Sequence, residues 1–269
     1  MLTQKQHTAR LSGIGASECA AIMGFDPYRT AHQIWLEKTG RLERENLDKN
    51  SFVYWGSVLE DDVADAYAEA TGHKLRKIAK TLRHAQYDWM LCHLDRKVIG
   101  HRKILECKTA DKFAKGWGAA GSDHVPEQYI IQVQHQMAVT GYQEADIAVL
   151  IGGNDFRIYP IKKDPQLIDV VTQSVNNFWK NHVLADIPPQ PTSYVEAIQR
   201  WPKDDGKGIE ATDDIIKTII DYKKSKQSAE DLKDKLAVYF ADASFITYQG
   251  KILGTFKTNK NGARTLRIN

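Results

Sequence analysis

The chain has 269 residues, 42% of them hydrophobic and 26% charged, with a net charge of +3 and a mean hydropathy of −0.47. This is ordinary for a soluble globular protein of one large domain, or of a domain with an extension. Bulk charge gives no argument for nucleic-acid binding, and no apolar run approaches the ~20 residues of a membrane span.

Residues Met1 to His7 lack the apolar core of a signal peptide. Cys19, Cys92 and Cys107 show no CxxC spacing and cannot supply a four-thiolate site. Both features fit a reducing cytoplasm, and the protein is read as intracellular.

Taken in order, Arg10 to Glu18 leads through Gly13 and Gly15 into Cys19 to Gly24. Ser17 reads as an N-cap and Gly24 as the stop of a short helix. Free N–H groups at such a helix start attract an anion, and Arg10 is near enough in sequence to add charge. A plain capped turn is the alternative. A second helix runs from Thr30 to Lys38, stopped by Gly40. Trp55 to Gly72 has helical period, with Leu59, Val63, Ala66, Tyr67 and Ala70 as its buried stripe. Glu60 lies at the border of that stripe, where a carboxylate needs a metal or a basic partner. It could equally compensate the helix dipole.

Leu75 to Leu82 reads as a strand within the basic cluster of Lys74, Arg76, Lys77, Lys80 and Arg83, which a solvated face explains as well as a nucleic-acid contact. Cys92 to Lys108 reads as a hairpin. With a two-residue type II′ turn at Gly100-His101, residue 99 opposes 102, 98 opposes 103 and Asp95 opposes Glu106. In an extended strand Glu106 and Lys108 share one face, while Leu105 and Cys107 take the other. Two carboxylates so close repel unless a cation lies between them, so the arrangement suits a divalent metal, with Lys108 placed to hold or polarise a water. An exposed hairpin with alternating charges is the plainer reading.

Thr109 to Gly121 reads as a loop or short helix holding Lys112, Lys115 and Trp117. Pro126 to Gly141 is a helix with Ile130, Val133 and Met137 toward the core. Tyr129, Gln132 and Gln136 form an uncharged polar row able to bond a water or a phosphate, or simply facing solvent. Ala145 to Ile151 and Phe156 to Ile161 are strands joined by Gly152-Gly153-Asn154-Asp155, and Leu167 to Val183 is a helix. Ile187-Pro188-Pro189-Gln190-Pro191 marks a boundary. It divides a core, 1–190, from an extension, 191–269, made of a long amphipathic helix over Ala211 to Phe240 and a terminal β-hairpin suited to assembly or partner binding.

In this order the chain resembles the YqaJ-type viral recombinases, the phage lambda-type alkaline exonucleases of the PD-(D/E)xK nuclease superfamily. The resemblance spans about residues 10–185. It rests on Gly13-Ile14-Gly15-Ala16-Ser17-Glu18, the run Gly24 to Thr30, Trp35 to Gly40, Gly56-Ser57-Val58-Leu59-Glu60, Asp95 with Glu106-Cys107-Lys108, and Tyr129 with Gln132. It implies a three-layer α/β core, a mixed central sheet flanked by helices. It also implies Mg²⁺-dependent 5′-to-3′ digestion of linear double-stranded DNA, leaving 3′ single-stranded tails, in the cytoplasm of a bacterial host. Two Mg²⁺ per site, with Mn²⁺ able to substitute, a ring-shaped trimer and a single-strand annealing partner belong to the same picture.

By position the resemblance makes Asp95, Glu106 and the Cys107 carbonyl metal ligands. Glu60 becomes a second-metal or outer carboxylate, and Lys108 with Gln132 the water-activating pair. Arg10 and Ser17 hold a 5′-phosphate or the scissile strand, alongside Tyr129. Leu94 replaces the proline of the motif name, and His93 stands where a lambda-type enzyme has a phosphate-binding serine. A PD-(D/E)xK endonuclease or resolvase, or a non-catalytic DNA-binding accessory protein, is the alternative.

Overall fold

The computed structural model describes residues 11–43, 50–201, 203–204, 206–208 and 210–268. It consists of two compact units, Met1–Pro202 and Lys203–Asn269.

In the first unit six strands form one mixed sheet: β1 (Ile14–Gly15), β2 (Leu75–Arg83), β3 (Met90–Val98), β4 (Lys103–Ala110), β5 (Glu144–Ile151) and β6 (Asp155–Lys162). Strand β3 pairs parallel with β1 and antiparallel with β2 and β4; β4 pairs parallel with β5, and β5 antiparallel with β6. Such a sheet is covered on both faces, so β5 reads as a nearly continuous apolar run, Ala145 to Ile151. The helices are α1 (Cys19–Ile22), α2 (Ala31–Lys38), α3 (Ser51–Val58), α4 (Glu60–Thr71), α5 (Glu127–Thr140), α6 (Pro165–Phe178, continued by a π-helical turn over Trp179–Leu184) and α7 (Tyr194–Arg200). One face of the sheet carries Cys92, Leu94, Ile104, Ile147 and Val149 against residues of α1, α2, α5 and α6. The other carries Val98, Leu105, Cys107 and Ala148 against Val63, Ala64 and Tyr67 of α4. This is the three-layer α/β core the resemblance implies.

The β3–β4 register is the one the turn residues imply, Arg96 opposite Leu105 and Lys97 opposite Ile104. The turn itself differs. Gly100, at φ +82°, is the third residue of a turn closed by the His101 N–H on the Val98 carbonyl, rather than the first of a two-residue loop. Gly13 answers to a close approach: a Cβ there would lie 2.2 Å from the Trp89 carbonyl oxygen.

Three expectations need correction. Ser17 is not an N-cap. A 3-10 turn over Ala16–Glu18 precedes the four-residue α1, Gly15 caps it, and the Glu18 side chain accepts the Gly15 N–H at 2.7 Å. The helix expected from Trp55 begins at Ser51, capped by Asn50, and is divided at Leu59 into α3 and α4. The helical path carries through the division because Leu59 keeps αR geometry and its carbonyl accepts the Val63 N–H. Ala70 is exposed and Ala64 is buried in its stead.

The boundary lies past the proline run. Helix α7 belongs to the first unit because Glu196, buried on α7, accepts the Thr30 hydroxyl and the Thr192 N–H, at 2.8 Å for the latter. Arg200 donates to the carbonyls of Pro188 and Pro189 at 2.9 and 2.8 Å. A chain ended after Pro202 is therefore expected to melt higher than one ended after Gln190, by roughly 5 °C, since the shorter chain strands the Thr30 cap and uncovers what α7 buries. Coincident melting curves would place α7 outside the core.

In the second unit, α8 (Asp213–Phe240), capped by Thr212, leads to an antiparallel sheet of β7 (Phe245–Tyr248), β8 (Lys251–Thr258) and β9 (Arg264–Ile268). The expected hairpin has a third strand because Gln249 and Gly250, both at positive φ, turn the chain from β7 back into β8.

Candidate active site

Strand alternation on β4 puts Ile104, Glu106 and Lys108 on the face beneath α5, and Leu105 and Cys107 on the face toward α4. On β3 the alternation breaks. Leu94 belongs to the α5 face and Val98 to the α4 face, a change of parity that matches a register shift in the β2–β3 pairing between Lys77 and Ile78. This bulge re-aims Asp95, and bulges are common beside active sites for that reason. The Asp95 Oδ2 accepts the Cys107 N–H at 2.8 Å, bringing the two acidic residues together across the hairpin.

Glu106 is almost wholly buried and taken up by three side chains. Lys108 Nζ lies 2.7 Å and Gln132 Nε2 2.5 Å from its Oε1, and Gln136 Nε2 lies 2.8 Å from its Oε2. Lys108 also donates to Gln132 Oε1 at 3.2 Å, and its ammonium sits 4.9 Å from the centre of the Tyr129 ring, which stacks on Trp117. The polar row on α5 therefore grips the carboxylate rather than facing solvent. Gln136 was legible as part of that row, and its amide also donates to the His93 carbonyl at 3.1 Å.

Burial and then the charge of Glu106 push the Asp95 carboxyl well above the usual carboxylate range. Burial would push the Lys108 ammonium down, but the carboxylates of Glu106 and Asp95 outweigh it and the net shift is upward, so Lys108 stays protonated. One ammonium thus faces two carboxylates, Glu106 buried and Asp95 half-buried, a deficit of positive charge. The Gln136 Oε1 is buried without a partner. The opposite amide orientation would aim that oxygen at Glu106, so the orphan acceptor belongs to the site. The donors that remain, two carboxylates and the Cys107 carbonyl, are hard oxygens suited to Mg²⁺ or Mn²⁺; the Cys107 thiol faces the α4 layer. These residues fit a divalent cation.

Other expected site residues lie apart. Among the described residues no three His, Cys, Asp or Glu side chains converge as a metal cluster, because Glu60 is turned away. Its carboxylate is bound by Arg96 Nη1 at 2.7 Å and Lys77 Nζ at 3.5 Å, with Asp61 on the same two cations. Glu60 reaches Asp95 through its charge, which adds to the upward push on that carboxyl. Arg96 was not singled out in the sequence; it follows Asp95 on β3, and its guanidinium also donates to the Asp95 carbonyl at 2.6 Å. The His93 Nε2 lies 2.9 Å from the Thr81 hydroxyl on β2. Ser17 is exposed in its 3-10 turn, and the Glu18 carboxylate beside it, paired with Lys38 at 2.7 Å, occupies the place expected for an anion. Arg10 lies outside the described residues.

The fold is similar to that of solved exonucleases. An alkaline exonuclease of Laribacter hongkongensis matches with a TM-score of 0.55 and 21% identity, over 74% of this chain and 97% of that one. A complex of LHK-Exo with dAMP matches equally well, at 22% identity. Fold and acidic hairpin together define a three-layer α/β core, a mixed sheet flanked by helices, with Asp95, Glu106 and Lys108 on its central hairpin. The sequence profile of the YqaJ-like viral recombinase domain matches residues 5–143, and the chain belongs to that family. It is 38% identical over 183 residues to the uncharacterized protein YqaJ of Bacillus subtilis (strain 168), covering 67% of this chain and 56% of that protein, so it spans little more than half the length of that relative.

Proposed function

We propose that the chain is a divalent-cation-dependent exonuclease that digests linear double-stranded DNA in the 5′-to-3′ direction and leaves 3′ single-stranded tails for an annealing protein. The observation that carries the reading is the convergence of Asp95, Glu106, Lys108, Gln132 and Gln136 under α5. Clustered buried carboxylates beside a phosphate-binding surface repel a nucleic acid unless cations join them, so a module that only binds DNA has no use for them. Assembly as a ring-shaped trimer belongs to the same proposal.

Hydrolysis of a phosphodiester requires an attacking water in line with the leaving oxygen and relief of the charge that builds on the phosphoryl oxygens. Lys108 is protonated, so it donates rather than accepts. Two of its three N–H groups go to Glu106 and Gln132, and the third holds the water or a phosphoryl oxygen. Gln132 and Gln136 fix Glu106, and the Tyr129–Trp117 stack supports the ammonium from beneath. A divalent cation held by Asp95, Glu106 and the Cys107 carbonyl would supply Lewis-acid polarisation of the phosphate. The test is purified protein with Mg²⁺ on linear and on closed circular plasmid. Loss of the linear form alone supports the proposal; equal loss of the circle turns it into an endonuclease.

A 5′-phosphate carries more charge and more acceptor oxygens than an internal diester, so a guanidinium site favours it. With Glu18 at the helix start, such a preference rests on Arg10 and Ser17. Digestion of 5′-phosphorylated duplex is expected to outpace that of 5′-hydroxyl duplex, about tenfold for one charge-assisted contact, and Arg10→Ala to narrow the gap. Four initial rates, wild type and variant on each substrate, decide it. Equal loss on both substrates would make Arg10 a general backbone or folding residue.

A further inference from the structure

The second unit has a charge pattern that the hydrolytic site does not use. From Ala243 to Asn269 the chain carries Lys251, Lys257, Lys260, Arg264 and Arg267 and no Asp or Glu. Registry sorts these side chains by face. Phe240, at the end of α8, packs edge-on against Phe256 with ring centres 5.8 Å apart and lies over Gly254, where an added Cβ would come within 3.4 Å of its ring. Gly254, Phe256 and their partners Ile246, Ile268 and Leu266 therefore form the inner face. Arg264 closes that face, its guanidinium 4.0 Å over Phe256 and donating to the Ala243 carbonyl at 2.6 Å.

The alternate positions point the other way. Thr255 pairs with Phe245 on one side and Arg267 on the other, and Leu253 and Lys257 flank it along β8; past the irregularity in β7, Tyr248 pairs with Lys251. The outer face thus presents two aromatic rings, one leucine and three cations. Phe245 is 53% exposed, Tyr248 64% and Leu253 48%, and among the described residues no element of this unit covers them. An exposed aromatic on a strand is costly to leave in water, and three lysines and arginines without a counter-charge among the described residues call for a polyanion. Cations alone suit a duplex backbone. Exposed rings on the same face suit unpaired nucleotides.

We infer that the outer face of β7–β9 is a second nucleic-acid surface, specific for single-stranded DNA. It binds by stacking bases on Phe245 and Tyr248 and by pairing the backbone with Lys251, Lys257 and Arg267. The inference does not require the hydrolytic reading, and the two fail separately.

The test uses the full chain in EDTA, with a fluorescent 15-nucleotide oligo(dT) and a duplex of the same length read by anisotropy. Lys251→Glu with Lys257→Glu and Arg267→Glu is expected to weaken oligo(dT) binding at least tenfold and to reduce the slope of log affinity against log salt by about 2. Phe245→Ala with Tyr248→Ala is expected to weaken oligo(dT) about tenfold while leaving duplex affinity within twofold. Both variants should hydrolyse short duplex in Mg²⁺ at the wild-type rate. As a check that needs no substitution, an oligonucleotide carrying 5-bromodeoxyuridine should photocrosslink within residues 245–268. Unchanged oligo(dT) affinity in both variants, crosslinks confined to residues 1–202, or substitutions that alter only the oligomeric mass would overturn the inference, the last pointing to a second copy of the chain as the occupant.

Discussion

Lys108→Ala is expected to lower DNA hydrolysis about a thousandfold while leaving duplex binding and Mg²⁺ binding in place. The loss is that of a preorganised donor aimed at the reacting water or phosphate, in a site where burial strengthens each interaction. Binding survives because the cation ligands are Asp95, Glu106 and the Cys107 carbonyl, none of which is removed. Taking away the ammonium also leaves Glu106 without the partner 2.7 Å from its Oε1, so divalent-ion affinity should hold or rise, and calorimetry will show which. Turnover within tenfold of wild type would sink the assignment.

Asp95→Asn is expected to abolish hydrolysis and yet to stabilise the metal-free chain. The folded-state carboxyl is raised by burial and then by Glu106. For an acid, a raised folded value means that ionisation destabilises the fold. The penalty is absent below the unfolded value near pH ~3.9, grows as the pH rises from there, and is complete above the folded value. Asparagine escapes it while its side-chain oxygen still accepts the Cys107 N–H. In EDTA at mildly alkaline pH the variant should melt about 3 °C or more above wild type. Adding Mg²⁺ should raise the wild-type midpoint and not the variant's. A variant that melts lower in EDTA, or gains as much as wild type from Mg²⁺, would show that the hairpin carboxylates are structural.

The part of the site that local periodicity governs was legible. A glycine turn and a two-residue repeat suffice to place Glu106 and Lys108 on one face, and the register they imply is observed at Arg96–Leu105 and Lys97–Ile104. The helix over residues 127–140 was legible too, since Pro126 and Gly141 punctuate it. What escaped depends on contacts distant in sequence or on breaks in the repeat. The bulge beside Asp95 leaves no mark in a pattern of alternating residues, and Arg96, opposite Leu105 on the α4 face, captures Glu60 across a long separation in sequence. Helix α3 buries no residue, so its first turn carries no amphipathic signal. The place of α7 hangs on Glu196 meeting Thr30, which no spacing foretells. The Gln row was visible as a row, but its object was not: only the tertiary structure brings Gln132 and Gln136 onto Glu106.

The most direct measurement is release of acid-soluble nucleotides from a linear duplex by wild type and by Glu106→Gln, each in Mg²⁺ and in EDTA. Release by wild type in Mg²⁺ alone, with Glu106→Gln at background in both conditions, is the expected result. Wild-type release that persists in EDTA, or that survives Glu106→Gln, would contradict a cation-dependent nuclease built on Asp95, Glu106 and Lys108.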